Sequence, residues 1–313
     1  MQTEPFHQSG GIAIHRIGLT DSQFNEAFCL ALTGRDTGSP DLETHRRNVE
    51  DLAKSNGVVP NVFVATNARN ASLSAALHFE SPGRSALIHL SPNVVTGSAQ
   101  AVTLEAIVRH SESRNLNLLQ TLLHTGDNKR ARLIADMQFQ YLAELIYMDC
   151  PVVNSGIEEP HLESQFTLIT YSAKTEPMYL RALECSYQDS MDCPALTPLR
   201  TASDALAGHK STGIFDPSGF YVILANDEPA AILLTSTVTD RSALEVVYMG
   251  VSSSGRNRGL GKLLLSLAKQ RACALELSSV TLAVDAINMP ARRLYEKSGF
   301  IERARRRAWI RCI

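Results

Sequence analysis

The sequence lacks an excess of charge of either sign, and it lacks long apolar runs. Its 313 residues include 30 Lys and Arg against 32 Asp and Glu, a net charge of −2. This balance gives no general electrostatic attraction to nucleic acid or to an anionic membrane, so neither is expected as a partner. No apolar run approaches the roughly 20 residues that a membrane-spanning helix needs.

Targeting and metal-binding signals are also scarce. The first residues, Met1 to Pro5, lack the basic and apolar blocks of a signal peptide. Six cysteines are scattered along the chain, with no Cys-x-x-Cys pair and no paired histidines nearby. This pattern favours reduced thiols over a disulfide framework or a zinc site. We therefore expect a cytoplasmic protein without a metal centre.

What the sequence does contain is a turn rich in glycine and arginine. Residues 244–251 are apolar and predict a buried strand, and leucines at helical spacing over residues 260–267 predict an amphipathic helix. Glycines let the backbone turn sharply between the two, so that the first N–H groups of the helix converge at the positive end of its dipole. The turn therefore predicts a phosphate or pyrophosphate site. Its residues are Arg256, Asn257, Arg258, Gly259, Leu260, Gly261 and Lys262.

A second segment follows the predicted helix. Residues 279–284 alternate with the period of a strand, and Asp285 and Asn288 come next. A short helix is expected between Pro290 and Gly299, because proline suits the first turn of a helix and glycine suits its end.

Together these segments read strand, R-x-x-G-x-G, helix, strand and V-D-x-x-N-x-x-A-x-x-L-Y-x-x-x-G-F. This order resembles the GNAT family of acetyl-CoA-dependent N-acetyltransferases, over roughly the last 70 residues. The resemblance implies an α/β fold with a mixed sheet, splayed open to admit the pantetheine arm of coenzyme A. It also implies that acetyl-CoA is the acetyl donor and an amine the acceptor.

The resemblance extends in outline to both halves of the chain. Residues 164–313 predict the acetyl-CoA-binding catalytic domain, and residues 151–163, with their prolines, predict a linker. Residues 1–150 repeat the order of elements, including an eroded copy of the second motif at Gly126 to Phe139, but residues 92–99 have one glycine and no arginine. We therefore expect two tandem GNAT-like domains, each a splayed mixed β-sheet flanked by helices, of which the first is degenerate.

The family resemblance also implies contacts for the donor. The backbone of Met249, Gly250 and Val251 is expected to bond the pantetheine amides and the thioester carbonyl oxygen. A glycine inside a strand is typical of a bulge or of close ligand approach, and Gly250 can equally relieve a tight packing contact. Asn288 is expected to bond the pantetheine arm or to cap the following helix. Ala291, on that helix, is a further expected donor contact.

Two residues are candidates for proton transfer. Tyr295 matches the tyrosine that acts as general acid toward the leaving thiolate in many GNAT enzymes, and its alternative role is that of a core tyrosine. Glu245 lies fourteen residues before Gly259, which is similar to the place of the glutamate base in the histone-acetylating branch of the family. A carboxylate on an apolar strand is partly desolvated, which raises its pKa and improves it as a base.

The resulting hypothesis is an N-acetyltransferase that acts on a primary amine of a small acceptor by direct attack in a ternary complex. One alternative is a non-catalytic protein that binds or senses acyl-CoA. Another is an acetyltransferase of a cysteinyl amine, because Asp192-Cys193-Pro194 resembles a sequence in mycothiol synthase-like tandem GNAT proteins. A third alternative is an interaction scaffold, but such a function does not explain why the glycine-arginine turn is intact.

Overall fold

The computed structural model describes residues 6–33, 42–92, 97–152, 162–238 and 241–313. None of the helices in these ranges is long and apolar enough to cross a membrane. The chain divides into two compact units, one made of residues 1–142 with 307–313 and the other of residues 143–306. Residues 153–161 of the predicted linker and residues 93–96 lie outside the described ranges.

The first unit is built on a mixed sheet with the strand order β1-β2-β3-β4-β5-β6. Neighbouring strands are antiparallel except β5 and β6, which are parallel. The strands are β1 His7–Ser9, β2 Ile12–Gly18, β3 Val59–Thr66, β4 Ser72–Ser81, β5 Ser85–Leu90 and β6 Leu118–His124.

Helices cover both faces of this first sheet. One apolar cluster includes buried residues of α1, and a second includes buried residues of α3 and α4. β3 lies between these clusters and is buried from Pro60 to Thr66, as expected for a strand with helices on both sides. The helices are α1 Phe24–Thr33, α2 Leu42–Asn56, α3 Gly97–Ser113 and α4 Asn128–Asp136.

The second unit has a mixed sheet with the order β8-β9-β10-β11-β12-β7. β11 and β12 are parallel, and the other pairs are antiparallel. The strands are β7 Gln140–Pro151, β8 Phe166–Thr170, β9 Ile214–Ala225, β10 Glu228–Val238, β11 Ala243–Val251 and β12 Ser279–Asp285, and β13 Ile301–Cys312 follows the last helix. Residues 143–151 of β7 and 301–306 of β13 belong to this unit. Pro151, the first residue of the predicted linker, is thus the end of a strand and is paired with Ser279.

Two apolar clusters also flank the second sheet. The cluster on one face includes α7 leucines such as Leu264, which is fully buried, and the cluster on the other includes Tyr179 and Leu183 of α5 and Leu206 of α6. The helices are α5 Glu176–Tyr187, α6 Ala202–Lys210, α7 Leu260–Ala274 and α8 Met289–Lys297, with short 3-10 helices at Pro194–Leu199 and Ser253–Gly255.

The parallel ladder between β11 and β12 stops before either strand ends. Its last pair is Val246 with Leu282, but β11 continues to Val251 and β12 to Asp285. β12 stays paired with β7 on its other edge over its whole length, from Ser279 to Asp285, whereas its pairing with β11 ends, so β11 and β12 diverge. This opening is the splay that the family resemblance implies.

A bulge marks the start of the splay. Leu234 of β10 faces Tyr248, but the next residue, Thr235, faces Val246, so Val247 is the extra residue on β11. The bulge reverses the alternation of side chains along β11 from this point. Tyr248 packs with the α5 and α6 cluster, whereas Met249 and Val251 pack with the α7 cluster.

The β9–β10 hairpin turns over two residues. These are Asn226 and Asp227, with φ values of 52° and 64°. Asn and Asp tolerate this left-handed region, so the turn closes in two residues. Pro229 is accepted because it lies at the start of β10.

Gly250 is needed for packing at the edge of the splay. A Cβ at this position would lie 2.6 Å from the Cβ of Ser186 on α5 and 2.9 Å from the hydroxyl of Tyr248. We expect Gly250→Ala to destabilise the fold by about 1–3 kcal/mol through overpacking, measured as a lower urea midpoint by circular dichroism.

Two further variants make this stability test specific. Gly126→Ala is the matched control, since a Cβ there meets nothing within 4 Å, and it should change stability by less than about 0.5 kcal/mol. Adding Ser186→Gly to Gly250→Ala should recover part of the loss, with a coupling of about 0.5–3 kcal/mol. Strictly additive losses would contradict the proposed clash.

Candidate functional site

A cleft of about 560 Å³ opens where β11 and β12 diverge. Its walls come from the splayed end of β11, the start of α7, the start of α8 and the loop after α5. Most of the sequence-predicted donor contacts line it: Met249, Gly250, Val251, Arg256, Asn257, Gly259, Leu260, Gly261, Lys262, Asn288, Ala291 and Tyr295. Arg258 and Glu245 are not among the lining residues. The structure thus brings together residues separated by up to 46 positions in the sequence.

The start of α7 differs from the other helix starts around the site because no side chain caps it. Its N-cap is Gly259, in the left-handed conformation with φ 77°, and the first bond within the helix runs from Leu263 N–H to Gly259 C=O. By contrast, Asn288 caps α8 by accepting from Ala291 N–H at 3.3 Å. The first N–H groups of α7 have no intrahelical partner, so they present partial positive charge to the cleft. An anionic ligand is the natural complement.

The two arginines of the turn have different roles in the structure. Arg256 donates from Nη2 to the carbonyl oxygens of Gln188 at 2.8 Å and Asp189 at 3.2 Å, which fixes the turn against the loop that follows α5. Arg258 donates from Nη2 to the Gln165 side chain at 2.8 Å, and its guanidinium lies 4.7 Å from the centre of the Phe166 ring. Of these two arginines, Arg256 lines the cleft and Arg258 does not.

The backbone of β11 presents unpaired polar groups to the splay. Ser252 N–H bonds to the Ala230 carbonyl of β10. In an antiparallel pair, residues alternate between bonding to the partner strand and facing away from it. Met249 and Val251 are therefore the residues whose backbone groups face the open side, where β12 has diverged. These groups are available to a ligand with amide groups of its own.

Tyr295 lies at the inner end of the cleft, on α8. It is 7% exposed and packs against the Phe300 ring. Burial raises its pKa above the usual value of 10, and the negative charge of Asp192 raises it further. The phenol therefore carries its proton at neutral pH and is a hydrogen-bond donor toward the cleft.

Asp192 is a lining residue whose position only the structure reveals. Its Oδ1 accepts the N–H of Asp285 at 2.8 Å, and Asp285 Oδ2 accepts the N–H of Cys193 at 3.3 Å. These reciprocal bonds tie the loop of residues 190–193 to the end of β12. Burial raises the pKa of Asp192, and the charge of Asp285 adds to this effect.

Glu245 lies on the paired part of β11, opposite Thr281 of β12. Its side chain is half-buried, and burial raises its pKa, an effect that Arg241 opposes. Its charge in turn raises the pKa of Tyr147 on β7, although burial is the larger cause there.

Tyr248 forms the side of the cleft nearest α5. Its hydroxyl is 2.8 Å from Ser186 Oγ, and its ring stacks on His209 with a centroid distance of 5.3 Å. Burial lowers the pKa of His209 to about 3, so its ring is neutral at physiological pH. The sequence gives no signal for these residues, because Ser186 and His209 reach the site only through the packing of α5 and α6 on β11.

The first unit contains the counterpart of this site in a closed form. The ladder of β5 and β6 also stops early, with its last pair at Ile88 and Thr121. Asp127 caps α4 by accepting from Arg130 N–H, just as Asn288 caps α8. Three residues after each cap stand Arg130 in α4 and Ala291 in α8.

The Arg130 side chain fills the opening in the first unit. Its Nη1 donates to the Leu90 carbonyl at 3.0 Å and is 3.4 Å from that of Ser91, and its Nε pairs with Asp127. Leu90 is the counterpart of Val251, because Ser91 N–H bonds to Ala75 in the way that Ser252 N–H bonds to Ala230. The strand end that is open to a ligand in the second unit is thus bonded to the chain itself in the first.

The Asp192 bond to β12 yields a stability prediction. Asp192→Ala leaves the buried N–H of Asp285 unpaired and should cost about 1–3 kcal/mol. Asp192→Asn keeps an oxygen acceptor and removes a buried charge, so it should cost much less at pH 7. Urea unfolding of both variants measures the difference. Equal losses would show that the carboxylate–amide bond does not hold the loop.

Comparisons with known proteins point to the same family for the second unit. Residues 183–300 match the acetyltransferase (GNAT) family. The chain is 25% identical to the mycothiol acetyltransferase of Streptomyces griseus over 183 residues, which cover 58% of each chain. It is 37% identical to the mycothiol acetyltransferase of Mycobacteroides abscessus over 91 residues, 28% of this chain and 30% of that one. The chain thus spans less than two thirds of the length of these curated relatives.

Solved structures show the same fold. A GCN5-related N-acetyltransferase from Sphaerobacter thermophilus superimposes with a TM-score of 0.65 at 14% identity, covering 98% of this chain and 97% of that one. A tandem GNAT protein from the clavulanic acid biosynthesis pathway gives 0.55 at 14% identity, with coverage of 96% and 98%. The predicted fold class, a mixed sheet flanked by helices in tandem GNAT-like units, is confirmed. Residues 183–300, which lie in the second unit, thus match the acetyltransferase (GNAT) family, and the chain has the fold of a tandem GNAT protein.

Proposed function

We propose that the second unit transfers an acetyl group from acetyl-CoA to a primary amine of a small acceptor, by direct attack in a ternary complex. The observation that carries this proposal is the continuity of one cleft from the uncapped start of α7 to the unpaired end of β11. The first feature suits a diphosphate, and the second suits a chain of amides. Coenzyme A joins these two groups in one molecule.

The residues at the cleft fit such a donor in a definite order. The N–H groups of Gly259 to Lys262 would hold the diphosphate, with Arg256 and Lys262 adding positive charge. The backbone of Met249 and Val251 would bond the pantetheine amides, and an N–H group of this strand would stabilise the thioester carbonyl oxygen as it gains charge. Such a donor typically contributes about 2.7–4 kcal/mol to transition-state stabilisation. Ala291, as a small residue, leaves room for the arm beside α8.

Acetyl transfer forms a C–N bond and breaks a C–S bond, and two protons must move. The attacking amine loses one proton to a base, and the departing thiolate gains one. We assign the second role to Tyr295, whose phenol is protonated at neutral pH and lies at the inner end of the cleft. We assign the first role to Glu245, acting directly or through water, because burial raises its pKa toward the working pH.

Asp192 is the competing candidate for the base. It lines the cleft and burial raises its pKa, but Oδ1 is engaged with Asp285 N–H, which favours a positioning role. Glu245, by contrast, is not among the residues that line the cleft. The two assignments differ in how their variants respond to pH.

Two other functions remain consistent with the cleft. A non-catalytic acyl-CoA sensor would be stabilised by coenzyme A but would not turn over with any amine. A cysteinyl amine acceptor is favoured by the mycothiol acetyltransferase relatives, whose names describe their own activity. Assays with a panel of amines that includes a cysteinyl amine separate these functions.

We further propose that residues 1–150 are a degenerate copy that binds no donor, and that residues 164–313 form the catalytic domain. The support is Arg130, whose guanidinium bonds to the strand end that an arm of coenzyme A would need. The expected stoichiometry of acetyl-CoA is therefore one per chain.

Arginine variants test the donor site. Arg256→Ala should weaken acetyl-CoA binding by about tenfold or more, because it removes a charge at the cleft and releases the turn, and a tenfold change is about 1.4 kcal/mol. Arg258→Ala is the matched control from the same turn, and it should change the Kd by less than about threefold, since its side chain contacts Gln165 and Phe166 instead. Isothermal titration calorimetry measures both. A larger loss of affinity in Arg258→Ala than in Arg256→Ala would contradict the placement of the diphosphate.

The base assignment predicts a change in pH dependence. Glu245 must be ionised to accept a proton, so kcat/KM should rise with pH through its raised pKa. Glu245→Gln should lower kcat by about 100-fold at pH values above the pKa of Glu245, and the difference from the unchanged enzyme should shrink as the pH falls below it. The Kd for acetyl-CoA should stay nearly unchanged.

Asp192→Asn provides the comparison for this pH test. If Asp192 positions the loop, its variant should lower the rate by the same factor at every pH. The opposite result would identify Asp192 as the base. In that result, the loss of rate in Asp192→Asn depends on pH, whereas Glu245→Gln keeps the pH dependence of the unchanged enzyme.

A further inference from the structure

A buried cluster of two histidines and a glutamate lies in the first unit, separate from the residues discussed above. His78 and Glu80 lie two residues apart on β4, so their side chains share one face of the sheet. His110, on α3, faces them. Their exposed fractions are 0%, 5% and 7%, and one ligand atom from each lies within 4.8 Å of the others.

Hydrogen bonds fix which nitrogen of His78 carries its proton. Ser111 Oγ donates to the Ile107 carbonyl at 2.8 Å, so its single proton is used. The same hydroxyl lies 3.0 Å from His78 Nε2, so it accepts a hydrogen bond from that nitrogen. Nε2 is therefore the protonated nitrogen of His78.

The other nitrogen of His78, Nδ1, is therefore an acceptor, and it faces the carboxylate of Glu80, which is also an acceptor. Nδ1 is buried and, among the described residues, has no hydrogen-bond partner. It lies 4.0 Å from Glu80 Oε1. A lone pair and a carboxylate oxygen repel each other unless a cation or a donor stands between them. His110 Nε2 lies 2.9 Å from the same oxygen and donates a hydrogen bond to it, so a cation bound here would displace this proton to solvent.

We propose that His78 Nδ1, His110 Nε2 and Glu80 Oε1 bind a divalent transition-metal ion of the Zn²⁺ type. Two imidazoles and a carboxylate are ligands that Zn²⁺ accepts at about 2.0–2.2 Å. In a tetrahedral site, such bonds place ligand atoms about 3.3 Å apart. The distances of 2.9 Å and 4.0 Å here bracket that value, so small side-chain shifts complete the geometry.

The surroundings of the cluster resemble the outer shell of a metal site. His78 Nε2 donates to Ser111, and Glu80 Oε2 accepts from Arg114 Nε at 3.0 Å. Glu80 Oε1 faces the histidines and also accepts from Asn61 Nδ2 at 3.3 Å. Ligands of metals are oriented by bonds of this kind. The positive charge of Arg114 opposes a cation, but 54% of its side chain is exposed, so water screens it. Because all three ligands are buried, the ion would stabilise the fold and would not contact a substrate.

Cobalt titration of the full chain tests the proposal. After removal of any affinity tag and dialysis against EDTA, Co²⁺ should give visible d–d bands that saturate at one equivalent per chain, and Zn²⁺ should displace it. Zn²⁺ should also raise the Tm. A chain that shows neither the bands nor a Zn²⁺-dependent rise in Tm would overturn the proposal and leave a water molecule between His78 and Glu80.

Variants identify the ligands. His78→Leu and Glu80→Gln should each lower the affinity for the metal ion. Removing an outer-shell partner lowers such an affinity by roughly 10–100-fold, and the loss of a ligand should be at least as large. His89→Gln, at an exposed histidine on β5, is the matched control and should bind as the unchanged chain does. Equal binding by all variants would place the ion elsewhere and refute the site. If a variant fails to fold, the titration of the unchanged chain still decides the matter, and no step requires acetyl transfer.

Discussion

The divergence of β11 from β12 is the constraint on which the site depends. The two strands pair only as far as Val246 and Leu282, and the bulge at Val247 lies at that point. Backbone groups of Met249 and Val251 are therefore left facing an opening, whereas in a closed sheet they would bond to a neighbour. An unpaired buried backbone group costs free energy, so a ligand that hydrogen-bonds to this strand removes that cost. α7 starts beside the same opening without a side-chain cap, which directs its N–H groups to the same ligand.

The first unit shows how the same architecture is closed by one residue. Both units end their parallel ladder early, and both cap the following helix with a short polar side chain. The second unit then has Ala291 where the first has Arg130, and Tyr295 where the first has Ile134, seven residues after each cap. Arg130 donates a hydrogen bond to the carbonyl of Leu90 from within the chain. The buried histidine cluster lies in this closed unit, so the proposed metal and the proposed donor concern different parts of the protein.

Local patterns predicted the elements well, because each has a periodic or capping signal that requires no knowledge of distant residues. The glycine-arginine turn, the Asn288 cap and the strand that carries Glu245 are of this kind. The orientation of Arg258 was not predictable, since it depends on Phe166, more than 90 residues away. The roles of Asp192 and Ser186 depend likewise on long-range packing. The cluster of His78, Glu80 and His110 was not predictable from the sequence, because the spacing of these residues matches no familiar metal motif. It forms only when α3 packs on β4.

A crystal structure of the chain with acetyl-CoA tests the central claim most directly. The account predicts one ligand per chain, with its diphosphate oxygens about 2.7–3.2 Å from the backbone nitrogens of residues 259–262. Its pantetheine amides should bond to Met249 and Val251 between the diverging strands, with the thioester sulfur beside Tyr295. A diphosphate bound away from the start of α7, or an arm that leaves the end of β11 unbonded, would contradict the account.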